Sequence, residues 1–493
     1  MVCGERSNLM EWLIPNWIVV VVGYLLALLT SLRVVLQRRE PTATLAWILG
    51  VLLVPYLGAL AYLVFGRRRL DRQVRRRRAR ATMIEPNLER ELGDDSRRAA
   101  TGRDSAPELQ PPDENLLSRL STRIGCRWPT SGNKVELLVD ATRAYQSMED
   151  AIEGARDHVH FQFYIYQPDG TGKRFRELLA KKAKEGVEVR VLVDGVGSFH
   201  AERFLQPLVE AGGRFSEFLP VGRLSRHWHP NLRNHRKLVV VDGHVGFTGG
   251  VNIGDEYTGR KKRVGSWRDT HIRIEGPAVR HLQEIFAEDW HFATGRQPDT
   301  ARWFEPVEAC GEARVHIIAS GPDTDTQPIQ RIFFAAVNSA TQRLWLTTPY
   351  FVPDQSMLVA LETAALRGCD VRLLLPAKSD APLVLHAGRS YYNELLECGV
   401  RIFEYQPGIL HAKTMLVDRS WATVGSSNMD VRSFRLNFEV NAIVYGKQLA
   451  DQLAQVFRRD LRQSREITLN DVADKQLGQR MVESLARITS PLL

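Results

Sequence analysis

Two stretches 176 residues apart carry the same polar skeleton, and no other feature restricts the fold of this chain as much. The first holds His235, Lys237, Asp242, Gly249 and Asn252; the second holds His411, Lys413, Asp418, Gly425 and Asn428. Both read His-x-Lys, four residues, Asp, six residues, Gly-x-x-Asn, and every gap is kept. Such self-similarity marks an internal duplication. Leu238 to Val241 is apolar and mostly β-branched, which predicts a buried strand. Side chains two apart on a strand share a face, so His235 and Lys237 point together, as do His411 and Lys413. Two such strands meeting across a pseudo-two-fold axis would gather two imidazoles, two ammonium groups and two carboxamides. That set suits a phosphoryl group: lysine charge and asparagine hydrogen bonds meet the non-bridging oxygens. One imidazole can attack phosphorus while the other protonates the leaving alkoxide. Histidine holds both protonation states near neutral pH. Asp242 and Asp418 complete the catalytic motifs. Each also ends a strand and opens a turn, which favours hydrogen bonding to backbone over chemistry.

The residues around the motifs narrow the reading. Arg233-Asn234-His235-Arg236-Lys237, Gly249-Gly250-Val251-Asn252-Ile253, Leu410-His411-Ala412-Lys413 and Gly425-Ser426-Ser427-Asn428-Met429-Asp430-Val431-Arg432-Ser433 resemble the bacterial cardiolipin synthases of the phospholipase D superfamily. The resemblance implies an α/β fold, a duplicated phospholipase D-like sandwich of two βαβ-rich halves. It implies a phosphohistidine intermediate, with no metal and no other cofactor. It implies an acid after each motif to orient a histidine; by position these are Asp269 and Glu439. It also implies the reaction: two phosphatidylglycerol molecules give cardiolipin and glycerol. His235 is the expected nucleophile and His411 the general acid/base, an order the sequence alone leaves reversible. Lys237, Lys413, Asn252 and Asn428 are expected to bind the phosphate. Three rivals stand beside this reading: a hydrolase or transferase using another acceptor, a nuclease of the same superfamily, and a lipid-binding scaffold without turnover.

Composition bears on the rivals. The net charge is +9, yet the nine arginines and one aspartate between Arg67 and Arg80 supply +8 of it, leaving +1 for the rest. A broadly basic nucleic-acid-binding surface is therefore not expected. Five scattered cysteines suggest neither a disulfide framework nor a zinc site. Residues 12–32 and 43–66 are long apolar runs, predicting a two-helix transmembrane hairpin over residues 1–66. The arginine run then places the following chain in the cytoplasm, next to anionic phospholipids, and the resemblance implies the inner membrane of a bacterium. Arg33, Arg38 and Arg39, against Glu40 alone, cut against that topology between the two runs; the run of nine outweighs them, and a hairpin that does not fully cross is the alternative. Residues 67–114 read as an Arg-rich juxtamembrane segment and a polar linker carrying Gly102, Pro107, Pro111 and Pro112.

Residues 115–300 and 301–493 are the two expected halves, each alternating strands and amphipathic helices. The oligomeric state is not readable. Several other residues bear on the site. His227, Trp228 and His229 precede the first motif and read as loop. Tyr164, Tyr350 and Tyr392 are candidates for the pocket wall, with core packing the commoner use of such aromatics. His386 and Arg389 are weak candidates near the substrate. Arg432 and Arg435 are candidates for a second phosphate, with a solvated pair favoured. Residues 448–465 form an amphipathic helix expected only to pack.

Overall fold

The computed structural model describes residues 16–36, 41–66, 126–220, 231–259, 265–296, 302–324 and 326–489, with a few residues between 117 and 124. The arginine run, the linker and His227 to His229 lie outside the described residues. The chain forms two compact units, a small one in its first 69 residues and a large one holding both motifs.

In the small unit, helix α1 (Asn16–Leu36) is the only one among the described residues long and apolar enough to cross a membrane. The expected second span is not one helix. It divides into α2 (Pro41–Leu53) and α3 (Pro55–Phe65), broken at Val54. Val54 leaves helical geometry (φ −134°, ψ 77°) because Pro55 follows it, and the residue before a proline is driven out of the α region. Hydropathy averaged over the run does not register this break.

In the large unit the duplication is explicit in strand order. The first half contributes β1 (Thr130–Val139), β2 (His158–Phe163), β3 (Glu188–Asp194), β4 (Arg214–Phe218), β5 (Arg233–Asn234), β6 (Leu238–Val241), β7 (Val245–Gly249), β8 (Ser266–Arg268) and β9 (Thr270–Glu275). The second contributes β10 (Ala313–Ser320), β11 (Arg343–Thr347), β12 (Phe351–Val352), β13 (Asp370–Lys378), β14 (Arg401–Leu410), β15 (Thr414–Val417), β16 (Trp421–Gly425), β17 (Met429–Asp430), β18 (Asn437–Tyr445) and β19 (Ser464–Ile467). The first sheet runs β4-β3-β2-β6-β7-β9-β1 and the second β14-β13-β11-β15-β16-β18-β10. In each, the first three strands are parallel and the rest antiparallel.

The two sheets face each other over a shared core. Leu238, Val240 and Ile272 of the first half pack in one cluster with Leu416, Phe438 and Val440 of the second. Burying a side chain of this size contributes roughly 1.5–3 kcal/mol, so the halves stabilise one another. Helices such as Ala141–Glu153 and Gly170–Lys184 cover the first sheet's outer face, and Pro328–Ser339 and Gln355–Leu366 cover the second's. The helix Lys447–Leu461 packs through Leu449, Leu453 and Phe457.

Candidate active site

Short exchanged strands build the site. β5 runs parallel to β18, pairing Arg233 with Asn437 and Asn234 with Phe438. β8 runs parallel to β14, pairing Trp267 with Ile409 and Arg268 with Leu410. Each motif therefore enters beside the segment of the other half that carries or leads directly to its acid, Glu439 in β18 and Asp269 just after β8. The His235 N–H donates to the Phe438 carbonyl at 2.9 Å, and the His411 N–H to the Arg268 carbonyl at 2.7 Å.

This exchange decides which acid serves which histidine. His235 Nδ1 lies 3.0 Å from both carboxyl oxygens of Glu439, and His411 Nδ1 lies 2.7 Å from Asp269 Oδ2. Each histidine is thus held by the carboxyl group of the opposite half. Engaging Nδ1 as the donor leaves Nε2 of each ring for chemistry. Ser426 and Asn437 also donate to Glu439, the latter at 3.2 Å. Gly250 makes room for Asp269: a Cβ there would lie 2.1 Å from Asp269 Oδ1.

The lysines point as the strand pattern requires. Lys237 Nζ donates to the His235 carbonyl at 2.8 Å, and Lys413 Nζ donates to the His411 carbonyl and rests within 3.1 Å of both nitrogens of the His411 ring. All four side chains are buried. A cleft of about 300 Å³ opens onto His235, His411, Asn252 and Asn428, walled by Tyr164 and Tyr350. Asn252 Oδ1 accepts from the Ile165 N–H at 3.2 Å, while Asn428 Oδ1, buried at the cleft, makes no hydrogen bond. The Tyr164 ring stands edge-on to His235 with centroids 5.1 Å apart and lies beneath Lys237 Nζ at 5.5 Å.

Burial and the crowd of cations set the protonation states. Burial first, then Lys237 and Lys413, pushes His235 well below the usual imidazole range. His411 is lowered by burial and Lys413, but Asp269 opposes the shift. Asp269 itself stays ionised: burial raises it, yet His411 and Lys413 hold it below the usual carboxylate value. Burial raises Glu439 to about 7, against the pull of Lys237. Burial lowers Lys237 strongly and brings Lys413 to about 8. His411 thus faces a firmly ionised acid, whereas the acid beside His235 takes up a proton near neutral pH.

Asp242 and Asp418 do not belong with the catalytic groups. Asp242 (φ 51°) accepts from the backbone N–H of Arg156, Asp157 and His158 at 2.8–2.9 Å. Asp418 (φ 51°) accepts from Thr341, Gln342 and Arg343 in the matching place. Both tie the β6–β7 and β15–β16 turns to the segment before β2 and β11. Tyr392 and Arg389 are also away from the cleft, bound to Glu404, and His386 does not line it. Arg432 lines the cleft, whereas Arg435 faces Asp354 at 3.5 Å. Four groups at the site were not read from sequence. Asp380 accepts from the Tyr350 hydroxyl at 2.9 Å, and Asp430, raised by burial to about 6, lines the cleft beside it. Ser426 and Asn437 brace Glu439. Behind His235, the buried Arg236 donates to Asp289 at 2.6 Å, and Gln162 and Asn234 donate to the same carboxylate.

Among the described residues, no group of three or more His, Cys, Asp or Glu side chains converges on a point where a metal ion could sit. The arrangement can perform in-line displacement at phosphorus: one histidine can attack, the other can donate a proton, and a lysine lies beside each.

A duplicated α/β fold with this paired histidine–lysine centre is that of the phospholipase D superfamily. The family described as "Cardiolipin synthase, PLD-like domain" matches residues 148–290 and 333–461, and one described as "Phospholipase_D-nuclease N-terminal" matches residues 25–67. The chain is 39% identical to cardiolipin synthase 2 of Bacillus anthracis over 470 residues, covering 95% of this chain and 90% of that protein. It is 38% identical to the cardiolipin synthase of Alkalihalophilus pseudofirmus, covering 99% and 96%. Among solved structures, phosphatidylserine synthase of Haemophilus influenzae shares the fold at 14% identity, with a TM-score of 0.55 over 76% of this chain and 98% of that one. The chain belongs to the cardiolipin synthase family, and its enzymatic class is phosphatidyl transfer.

Proposed function

We propose that this protein makes cardiolipin and glycerol from two phosphatidylglycerol molecules at a membrane surface. His235 Nε2 attacks the donor's phosphorus. The P–O bond to glycerol breaks, and His411 Nε2–H protonates the departing oxygen. His411, now neutral, takes the proton from the terminal hydroxyl of the second phosphatidylglycerol as that oxygen attacks. The P–N bond breaks and His235 is released. Lys237, Lys413, Asn252 and Asn428 surround the pentacoordinate phosphorus. Asp269 and Glu439 orient and charge-stabilise the two rings. The observation that carries this reading is the crossed pairing of each histidine with the opposite half's acid, which supports a single centre needing both halves.

The name of the relatives supports a phospholipid substrate. Arg233 and Arg432 line the cleft outside the histidine–lysine pairs and suit the acceptor lipid's own phosphate. The apolar α1 supports attachment to the inner membrane, with the catalytic unit on the arginine-rich cytoplasmic side. The test is purified enzyme in detergent with phosphatidylglycerol alone, its products followed by mass spectrometry. Cardiolipin and glycerol in equal amounts are expected, lost in His235→Ala and His411→Ala. Phosphatidic acid as the sole product would make water the acceptor and the protein a hydrolase.

A further inference from the structure

In the small unit the lengths and packing of the three helices differ in their capacity to cross a membrane. α1 has 21 residues and at 1.5 Å per residue spans about 31 Å, the thickness of the hydrocarbon layer. α2 has 13 residues and α3 has 11, about 20 Å and 17 Å, so neither crosses alone. They also do not add up to one crossing, because they fold onto each other. The rings of Trp47 and Tyr62 meet with centroids 5.4 Å apart. A Cβ on Gly58 would lie 2.7 Å from Val51 Cα and 2.6 Å from the Gly50 carbonyl oxygen. Positions 47 and 62, like 51 and 58, add to 109. A constant sum is the register of an antiparallel pair, and its midpoint falls on the Val54–Pro55 junction. The same register sets position 65, where α3 ends, opposite position 44, in the first turn of α2.

The depth of the bend is also fixed. Tyr56, just past it, hydrogen bonds the Val19 carbonyl and packs its ring on Gly23. The bend therefore sits near the start of α1, most of the way along it from Leu36. Leu49, Leu53, Leu57 and Leu60 are exposed on the pair, an apolar surface whose fitting partner is lipid acyl chain.

From this geometry we infer that α2 and α3 form a re-entrant V seated in the bilayer interior, so that the start of α2 and the end of α3 lie at the same membrane face. The inference rests on the membrane attachment proposed above. It removes the conflict in the sequence: with two crossings, Arg33, Arg38 and Arg39 would oppose the nine arginines after Gly66, whereas with one crossing all lie together, as the positive-inside rule requires.

The test uses the full chain in membrane vesicles of known orientation and a membrane-impermeant maleimide. Cys126, Cys310, Cys369 and Cys398 are first changed to Ser, which leaves Cys3 ahead of α1 as a native probe; Glu40→Cys and Arg69→Cys are then made in a Cys3→Ser background. Transferase activity serves as the control for folding. Labelling of positions 40 and 69 from one face and of Cys3 from the other is expected. Labelling of positions 40 and 69 from opposite faces would overturn the V and restore two crossings. Labelling of all three from either face would instead remove the membrane attachment on which the inference depends. A spin-label pair at Thr44→Cys and Phe65→Cys measures the bend directly. Facing helices about 8–10 Å apart predict label distances under about 20 Å, and a continuous helix predicts about 32 Å.

Discussion

Asp269→Asn isolates what the crossed pairing does. The substitution keeps the size of the side chain but removes the charge 2.7 Å from His411 Nδ1. His411 is already lowered by burial and Lys413, and Asp269 opposes that shift. Without it the imidazolium becomes harder to form, so protonation of departing glycerol slows. A hydrogen bond to a charged group contributes about 1.5–3 kcal/mol, or roughly 10- to 150-fold in rate. If the amide also selects the wrong tautomer the loss approaches the ~10⁴-fold seen for the equivalent change in a serine protease triad. The assay compares glycerol release from phosphatidylglycerol with release of a phenol whose anion leaves without a proton. Because Asp269 serves the acid His411, both Asp269→Asn and His411→Ala should recover most of their first-step rate on the phenol ester. Glu439→Gln and His235→Ala should not, since their defect lies in the nucleophile. Recovery by Glu439→Gln in place of Asp269→Asn would refute the assignment of roles.

Other predictions follow from the same geometry. Transfer should fall as pH drops through about 7, where Glu439 takes up a proton and ceases to support charge on His235, and fall again above about 8 as Lys413 loses its charge; a pH profile of the initial rate shows both limbs. Stability should move oppositely on the acid side. Glu439 binds its proton more tightly folded than unfolded, so its contribution is complete below about 4.5 and is lost as pH rises through about 7. Glu439→Gln should accordingly be more stable than the parent at pH 8, by an amount on the order of 3 kcal/mol, with the gap closing at pH 4.5; thermal melts at the two pH values measure it. Asp242→Ala should lower stability by about 1–3 kcal/mol through its orphaned backbone donors yet leave kcat nearly intact in the folded fraction, whereas Lys237→Met should abolish transfer in a protein that still folds.

The paired His-x-Lys motifs were legible because strand periodicity and a duplicated spacing are local properties. The symmetry of the two sheets followed from the same duplication. Asp269 and Glu439 could be placed by position, but their exchange could not. It arises from β5 pairing with β18 and β8 with β14, contacts between residues more than 140 apart in sequence. Asp242 and Asp418 sit in the motif for a backbone reason, since each carries a positive φ in a turn and collects three amide donors. Tyr164 and Tyr350 reach the cleft and Tyr392 does not, although all three are aromatics beside strands; only packing distinguishes them. The break in the second apolar run was not legible in composition: Pro55 ends α2 at Val54, and Gly58 lets α3 approach the Gly50–Val51 backbone of α2.

The central claim is that one centre built from both halves carries a phosphatidyl group on His235 while His411 moves protons. The most direct measurement is intact-protein and peptide mass spectrometry of the His411→Ala variant, quenched at alkaline pH after mixing with the phenol ester of phosphatidic acid. A phosphatidyl adduct on the peptide containing His235, absent from His235→Ala, is the predicted result. An adduct on His411 in the parent enzyme, with none on His235, would contradict the account.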